Sequence, residues 1–256
     1  MKLHYQSVGT GQPLVIMHGL FGSSDNWRAI AKQLAPYARV ITVDLRNHGR
    51  SPHSSQQDYP LMVGDLLELM NDLNIDEINL MGHSIGGKVA MQFATMHPEH
   101  LNSLVVVDIS PKQYDTDKEH ITIFNALLAL DLSAYSKRSE VDEALSTEIQ
   151  DKTVRQFLLK NIVTDKGELH WQINLQALYD NYANFGAEIS MQKTVSNKSC
   201  FIRGARSNYI QKSDEVIIAN SFLNSEIITI EGAGHWVHAE APQQFLATIM
   251  ESLNYG

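Results

Sequence analysis

Ser84 stands between two glycines in Gly82-His83-Ser84-Ile85-Gly86, and a serine held on so tight a turn is built to attack carbonyl carbon. Glu77-Ile78-Asn79-Leu80-Met81 before it reads as a strand, and Gly87 to Ala94 after it has the apolar spacing of a helix packed on a sheet. A strand-to-helix turn strains its central residue and holds that side chain above the sheet edge. Glycines two places before and after remove Cβ atoms that would clash there. A serine hydroxyl attacks only when a base takes its proton, and that base is nearly always histidine. Of the 11 histidines, His235 lies in Glu231-Gly232-Ala233-Gly234-His235, directly after the last predicted strand, where an imidazole can reach over the same sheet edge. His238 reads as a supporting residue. His83 is expected to point away from the nucleophile, as a pocket or packing residue.

A third group must orient the imidazole and stabilise imidazolium. Asp108 ends the strand after the nucleophile helix and is the favoured acid. The usual alternative position follows Cys200-Phe201-Ile202-Arg203-Gly204, but that segment reads Ala205-Arg206-Ser207-Asn208-Tyr209-Ile210, with no carboxylate before Asp214. Asp214 is read as a helix cap and Asp44 as a turn-fixing residue. The oxyanion formed by attack needs waiting N–H donors. Ile85 N–H supplies one, and Leu20 N–H, in His18-Gly19-Leu20-Phe21-Gly22, is the expected second, with Phe21 as fallback. Phe21, Ile85, Trp171 and Trp236 are expected to line the acyl pocket, with Arg206 as a polar contact to substrate. No metal site stands out, and neither a G-x-G-x-x-G after a strand nor a P-loop is present, so no metal or nucleotide cofactor is expected.

Element ends must deliver these residues. Pro13 to Met17, Arg39 to Asp44 and Leu101 to Asp108 are short apolar, β-branched runs, as in strands buried on both faces. Helical spacing over Asn26–Ala35 and Tyr59–Leu73 alternates with them, which implies βαβ units and a mostly parallel sheet. Residues 112–192 show helical patterns only, near Ile121–Leu130, Val141–Ile149, Thr153–Asn161 and Leu175–Phe185. The alternation resumes with a strand at Lys198–Gly204, a helix near Asp214–Leu223, a strand at Glu226–Ile230 and a helix over Pro242–Leu253. The chain is therefore read as an α/β core over 1–111 and 193–256 with a helical cap, 112–192, inserted over the site. Net charge is −9 with no basic block, which argues against nucleic acid and anionic membrane surfaces as partners. The single cysteine, Cys200, excludes an internal disulfide. With no signal-like or membrane-length apolar run, a cytoplasmic location is expected, without membrane or obligatory protein partner.

Together these segments resemble the α/β-hydrolase superfamily. His18-Gly19 is similar to its oxyanion loop, Asp44 through Ser51 to its D-x-R-x-x-G-x-S turn, Gly82 to Gly86 to its nucleophile elbow and Gly234-His235 to its histidine loop. More narrowly, His18 to Ser23, Arg46-Asn47-His48-Gly49, Gly82 to Lys88 and Gly232 to Glu240 resemble the bacterial YbfF-type esterases and their eukaryotic ABHD-type relatives. The resemblance implies the α/β-hydrolase fold, with a helical cap on a mostly parallel sheet. It implies a carboxylesterase acting on short acyl esters, with acyl-CoA thioesters as a further class, and an acid that falls on Asp108. Ser207-Asn208 departs from the wider superfamily and agrees with the narrower group. Two other readings remain open. A carbon–carbon hydrolase or lyase on the same fold would need cationic contacts, for which Arg46, Arg203 and Arg206 are the candidates. A non-catalytic ligand-binding protein on this scaffold is the other.

Overall fold

Runs of Val, Ile and Leu that are apolar at every position need partners on both faces, and a parallel sheet between helix layers supplies them. In the computed structural model, which describes residues 1–191 and 193–255, seven strands form one sheet. The spatial order is β1 (Tyr5–Val8), β3 (Arg39–Val43), β2 (Pro13–Met17), β4 (Ile78–His83), β5 (Leu101–Val107), β8 (Lys198–Gly204) and β9 (Ser225–Ile230). All neighbours pair in parallel except β1, which runs antiparallel to β3 at one edge. Residues 192 and 256, which close the two expected segments, lie outside the described residues.

Side chains alternate between the faces. Leu14 and Ile16 pack with Trp27, with Ile30 and Leu34 of α1 (Arg28–Leu34), and with Phe245 and Ile249 of α11 (Pro242–Ser252). Val15 and Met17 face the other way, towards Met62, Leu66 and Leu69 of α2 (Tyr59–Asp72) and Val89 and Phe93 of α3 (Ile85–Met96). From β2 the chain moves to β3 on one side and then to β4 on the other. In open parallel sheets, ligands bind beyond the carboxyl ends of the strands at such a reversal. The loops after β2 and β4 are those carrying His18–Gly22 and Ser84.

Between β5 and β8 the chain leaves the sheet. It forms α4 (Lys118–Leu128), α5 (Arg138–Leu145) and α6 (Lys152–Leu158). A hairpin of β6 (Ile162–Asp165) and β7 (Glu168–Trp171) follows, then α7 (Leu175–Asp180) and α8 (Tyr182–Phe185). The hairpin corrects the expectation of helices alone. Lys166 and Gly167 both have positive φ, 49° and 91°, so the two-residue turn has the left-handed form that matches strand twist. A lysine in its first place gave no turn signal. Phe124, Leu127, Leu158 and Leu178 join the core cluster of α2 and α3, so the insertion is packed onto the core. Its two ends are stitched together: Tyr114 N–H donates to Gly186 O (2.7 Å) and Ile189 N–H to Pro111 O (2.8 Å). α9 (Glu215–Ser221) and α10 (Val237–Glu240) complete the helices.

Candidate active site

Ser84 joins β4 to α3 with φ 53° and ψ −118°, a conformation that costs a non-glycine residue energy. A Cβ on Gly82 would lie 2.1 Å from Gly86 O, and one on Gly86 2.6 Å from His18 O, so the turn can close only with glycine at both places. Ser84 N–H donates to Val107 O (3.1 Å), tying the elbow to the neighbouring strand. Ile85 is the first residue of α3, and first-turn N–H groups have no acceptor within the helix.

The loop after β2 lies against this turn: a Cβ on Gly19 would be 3.2 Å from that of Ser84. Its backbone is fixed by His18, whose Nδ1–H donates to Gly19 O (2.8 Å) while Nε2 accepts from Leu45 N–H (3.0 Å). Burial lowers the His18 pKa and keeps this two-sided neutral tautomer. Phe21 has φ 60°, and its carbonyl accepts from the buried Asn161 Nδ2 (2.8 Å) of the insertion. Asp44 does fix the adjoining turn, accepting from Ser24 N–H (2.6 Å) and Arg50 N–H (2.8 Å).

Asp108 follows β5 with φ 50° and no exposed surface. Its Oδ2 accepts from His235 Nδ1–H (2.7 Å), which leaves the His235 Nε2 lone pair free to take a proton. Gly204 N–H donates to Oδ1 (3.1 Å), and the Ser207 hydroxyl donates to Oδ2. Ser207, in the position where the wider superfamily places its acid, is thus a donor to Asp108. Tyr209 stacks on the His235 ring with centroids 4.0 Å apart, and His83 Nε2–H donates to His235 O (2.9 Å). Burial, reinforced by His235 and His238, holds the His83 pKa well below its ordinary value, so this donor stays neutral. His238 stacks on Trp27 at 4.3 Å, and burial lowers its pKa to about 4. Asp214 accepts from Gln211 N–H and Lys112 Nζ; it closes the short turn before α9 and makes no side-chain cap on that helix.

A model of the alpha/beta hydrolase fold matches residues 12–242. The chain belongs to the alpha/beta hydrolase family. It is 34% identical over 251 residues to esterase YbfF of Escherichia coli, covering 97% of this chain and 96% of that one. It is 37% identical over 247 residues to the mouse (Mus musculus) sn-1-specific diacylglycerol lipase ABHD11, covering 94% and 80% of the two chains. A solved marine microorganism esterase superposes with a TM-score of 0.95 at 39% identity, covering 98% of each chain.

In this alpha/beta hydrolase two cavities meet at Ser84, one of about 240 Å³ and one of about 730 Å³. Leu20 lines both, Ile85 the smaller, and Phe21, His235 and Trp236 the larger. Two expected substrate contacts are not brought there. Trp171 sits on β7 and packs against the core cluster, outside the lining of either cavity. Arg206 is two-thirds exposed and paired with Glu240 at 2.8 Å. Sequence reasoning missed Tyr209, His120 and Asp117, which line both cavities, and Lys88, which lines the smaller. Lys88 was visible within the glycine-rich run after Ser84, and the others depend on how distant segments fold over the elbow. Burial pushes the Cys200 thiol up to about 12, so it is inert. Among the described residues no cluster of three or more His, Cys, Asp or Glu could hold a metal, and no helix is long and apolar enough to cross a membrane.

Proposed function

We propose that this chain is a serine carboxylesterase that hydrolyses acyl esters, and acyl-CoA thioesters by the same route, through an acyl-enzyme. The observation that carries this reading is the 2.7 Å contact between Asp108 and His235, with His235 and Ser84 on one cavity wall. Ser84 Oγ attacks the carbonyl carbon as His235 Nε2 takes its proton. Leu20 and Ile85 N–H groups stabilise the oxyanion. The carbon–oxygen (or carbon–sulfur) bond then breaks, and His235 returns the proton to the leaving atom. Water, activated by the same imidazole, releases the acid and restores Ser84. Asp108 holds the Nδ1–H tautomer throughout.

The carbon–carbon hydrolase alternative needs a free cation for an anionic substrate, and its candidates are engaged elsewhere. Arg46 binds Asp65 at 2.7 Å, Arg203 binds Glu215 at 2.8 Å, and Arg206 binds Glu240. Replacing Ser84 by alanine should lower kcat on p-nitrophenyl butyrate by at least about 10³-fold and abolish labelling by a fluorophosphonate probe. Wild-type turnover by that variant would end the esterase reading.

A further inference from the structure

A general acid can serve a leaving group only from its own side of the carbonyl. When the acyl carbon–oxygen bond breaks, the electron pair goes to the leaving oxygen and the proton arrives from His235 Nε2. The leaving group must therefore lie on the His235 side of Ser84, and the acyl substituent points from the carbonyl carbon away from it. The two cavities divide along this line. His235, Trp236 and Phe157 line the larger, of about 730 Å³. Ile85, Ile109, Tyr182 and Phe185 line the smaller, of about 240 Å³, and His235 is absent from that lining.

A cavity measures its ligand only if its walls cannot retreat, and the smaller one is braced. Lys88, on α3 one turn beyond Ser84, is fully buried. Its Nζ donates to Pro111 O (3.3 Å), Lys112 O (2.5 Å) and Ala187 O (2.8 Å), which belong to the outgoing and returning ends of the insertion. With the Tyr114–Gly186 and Ile189–Pro111 bonds, these contacts pin the segments beside the cavity wall. At the larger cavity the described residues give one such tie, from Asn161 Nδ2 to Phe21 O (2.8 Å), and none from α3.

Building on the esterase reading, we propose that the smaller cavity is the acyl site and the larger the leaving-group site, which places Phe21 and Trp236 on the leaving-group side and not in the acyl pocket expected from sequence. The preferred substrates are then short to medium straight-chain acyl esters of bulky alcohols or thiols. An apolar cavity of about 150 Å³ accepts benzene, so about 240 Å³ accommodates an acyl chain of about eight carbons. A cavity of about 730 Å³ is within the range that encloses drug-sized ligands.

The test is a pair of substrate ladders on the full chain. One runs from acetyl to myristoyl esters of p-nitrophenol. The other runs through butyrate esters of phenols of rising bulk and matched acidity. In the acyl ladder kcat/KM should climb by up to about fourfold per methylene while the cavity fills, then fall about tenfold between octanoyl and dodecanoyl. The phenol ladder should stay within about threefold. Ala183 lines the smaller cavity from an exposed position on α8, so Ala183→Phe should fold and shift the acyl maximum to shorter chains without altering the phenol ladder. Phe157→Ala should change the phenol ladder alone. A steep phenol ladder, an acyl ladder that climbs through myristoyl, or an exchange of the two variants' effects overturns the assignment. Any of these with hydrolysis still dependent on Ser84 overturns the assignment alone, whereas hydrolysis by the Ser84→Ala variant overturns the esterase reading beneath it.

Discussion

A carboxylate with no exposed surface is stable as an anion only if neighbouring donors replace the water it has lost. Asp108 has three such donors: His235 Nδ1–H, Gly204 N–H and the Ser207 hydroxyl. They differ in what each could do for catalysis. The histidine contact selects the tautomer that leaves Nε2 basic, whereas the other two hold the carboxylate in place to make it. Asp108→Asn keeps the shape but loses the charge and presents an amide that can favour the wrong tautomer, so kcat should fall about 10⁴-fold. Ser207→Ala removes one neutral donor and should cost no more than about tenfold. Steady-state rates of the two variants on one ester decide this. An Asp108→Asn enzyme within about tenfold of wild type would remove Asp108 from the proposed triad.

At the scale of elements, α3 has two tasks: its first residue is the proposed oxyanion donor, and its first turn carries Lys88. Burial pulls the Lys88 pKa down to about 7, while three carbonyls favour the ammonium by accepting from it. Lys88→Met removes the charge together with its desolvation cost, so global stability should move by about 1 kcal/mol or less. The amides of Tyr114 and Ile189, which stitch the insertion's ends, should exchange hydrogen about tenfold faster or more, with β4 and β5 amides unchanged. Unaltered exchange at those two amides would mean Lys88 does not brace the insertion. The same elements show what a sequence displays. β2, β4 and β5 are buried on both faces and announce themselves as apolar runs, and the elbow is legible because its glycines are locally required. β1 is an edge strand whose side chains are mostly exposed, so it carries no such run. The β6–β7 hairpin hid behind Lys166. Trp171 and Arg206 were misplaced, and Tyr209 missed, because their positions follow from segments distant in sequence meeting over the sheet.

At the scale of the whole molecule, the site rests on a set of histidines kept neutral inside the protein, and that arrangement ties stability to pH. His18, His48, His83 and His238 all have lowered pKa values with burial as the main cause, to about 3 for His48 and about 4 for His238. His238 is the most accessible to test. Around it lie the rings of Trp27, His83 and Phe245, with the His235 and Lys160 charges further lowering its pKa. Its Nδ1 is buried without a hydrogen-bond partner, so a phenylalanine there forfeits nothing at that atom and keeps the stack on Trp27. Between about pH 6.5 and 4 the unfolded chain binds a proton at His238 that the folded chain does not, so this residue's contribution to stability rises with pH across that window and is lost as pH falls. Urea unfolding at pH 6.5 and 4.5 should therefore show the wild type losing about 2 kcal/mol more than His238→Phe. Equal losses in the two proteins would mean that His238 is already charged in the folded state, and that the stack on Trp27 is made by imidazolium.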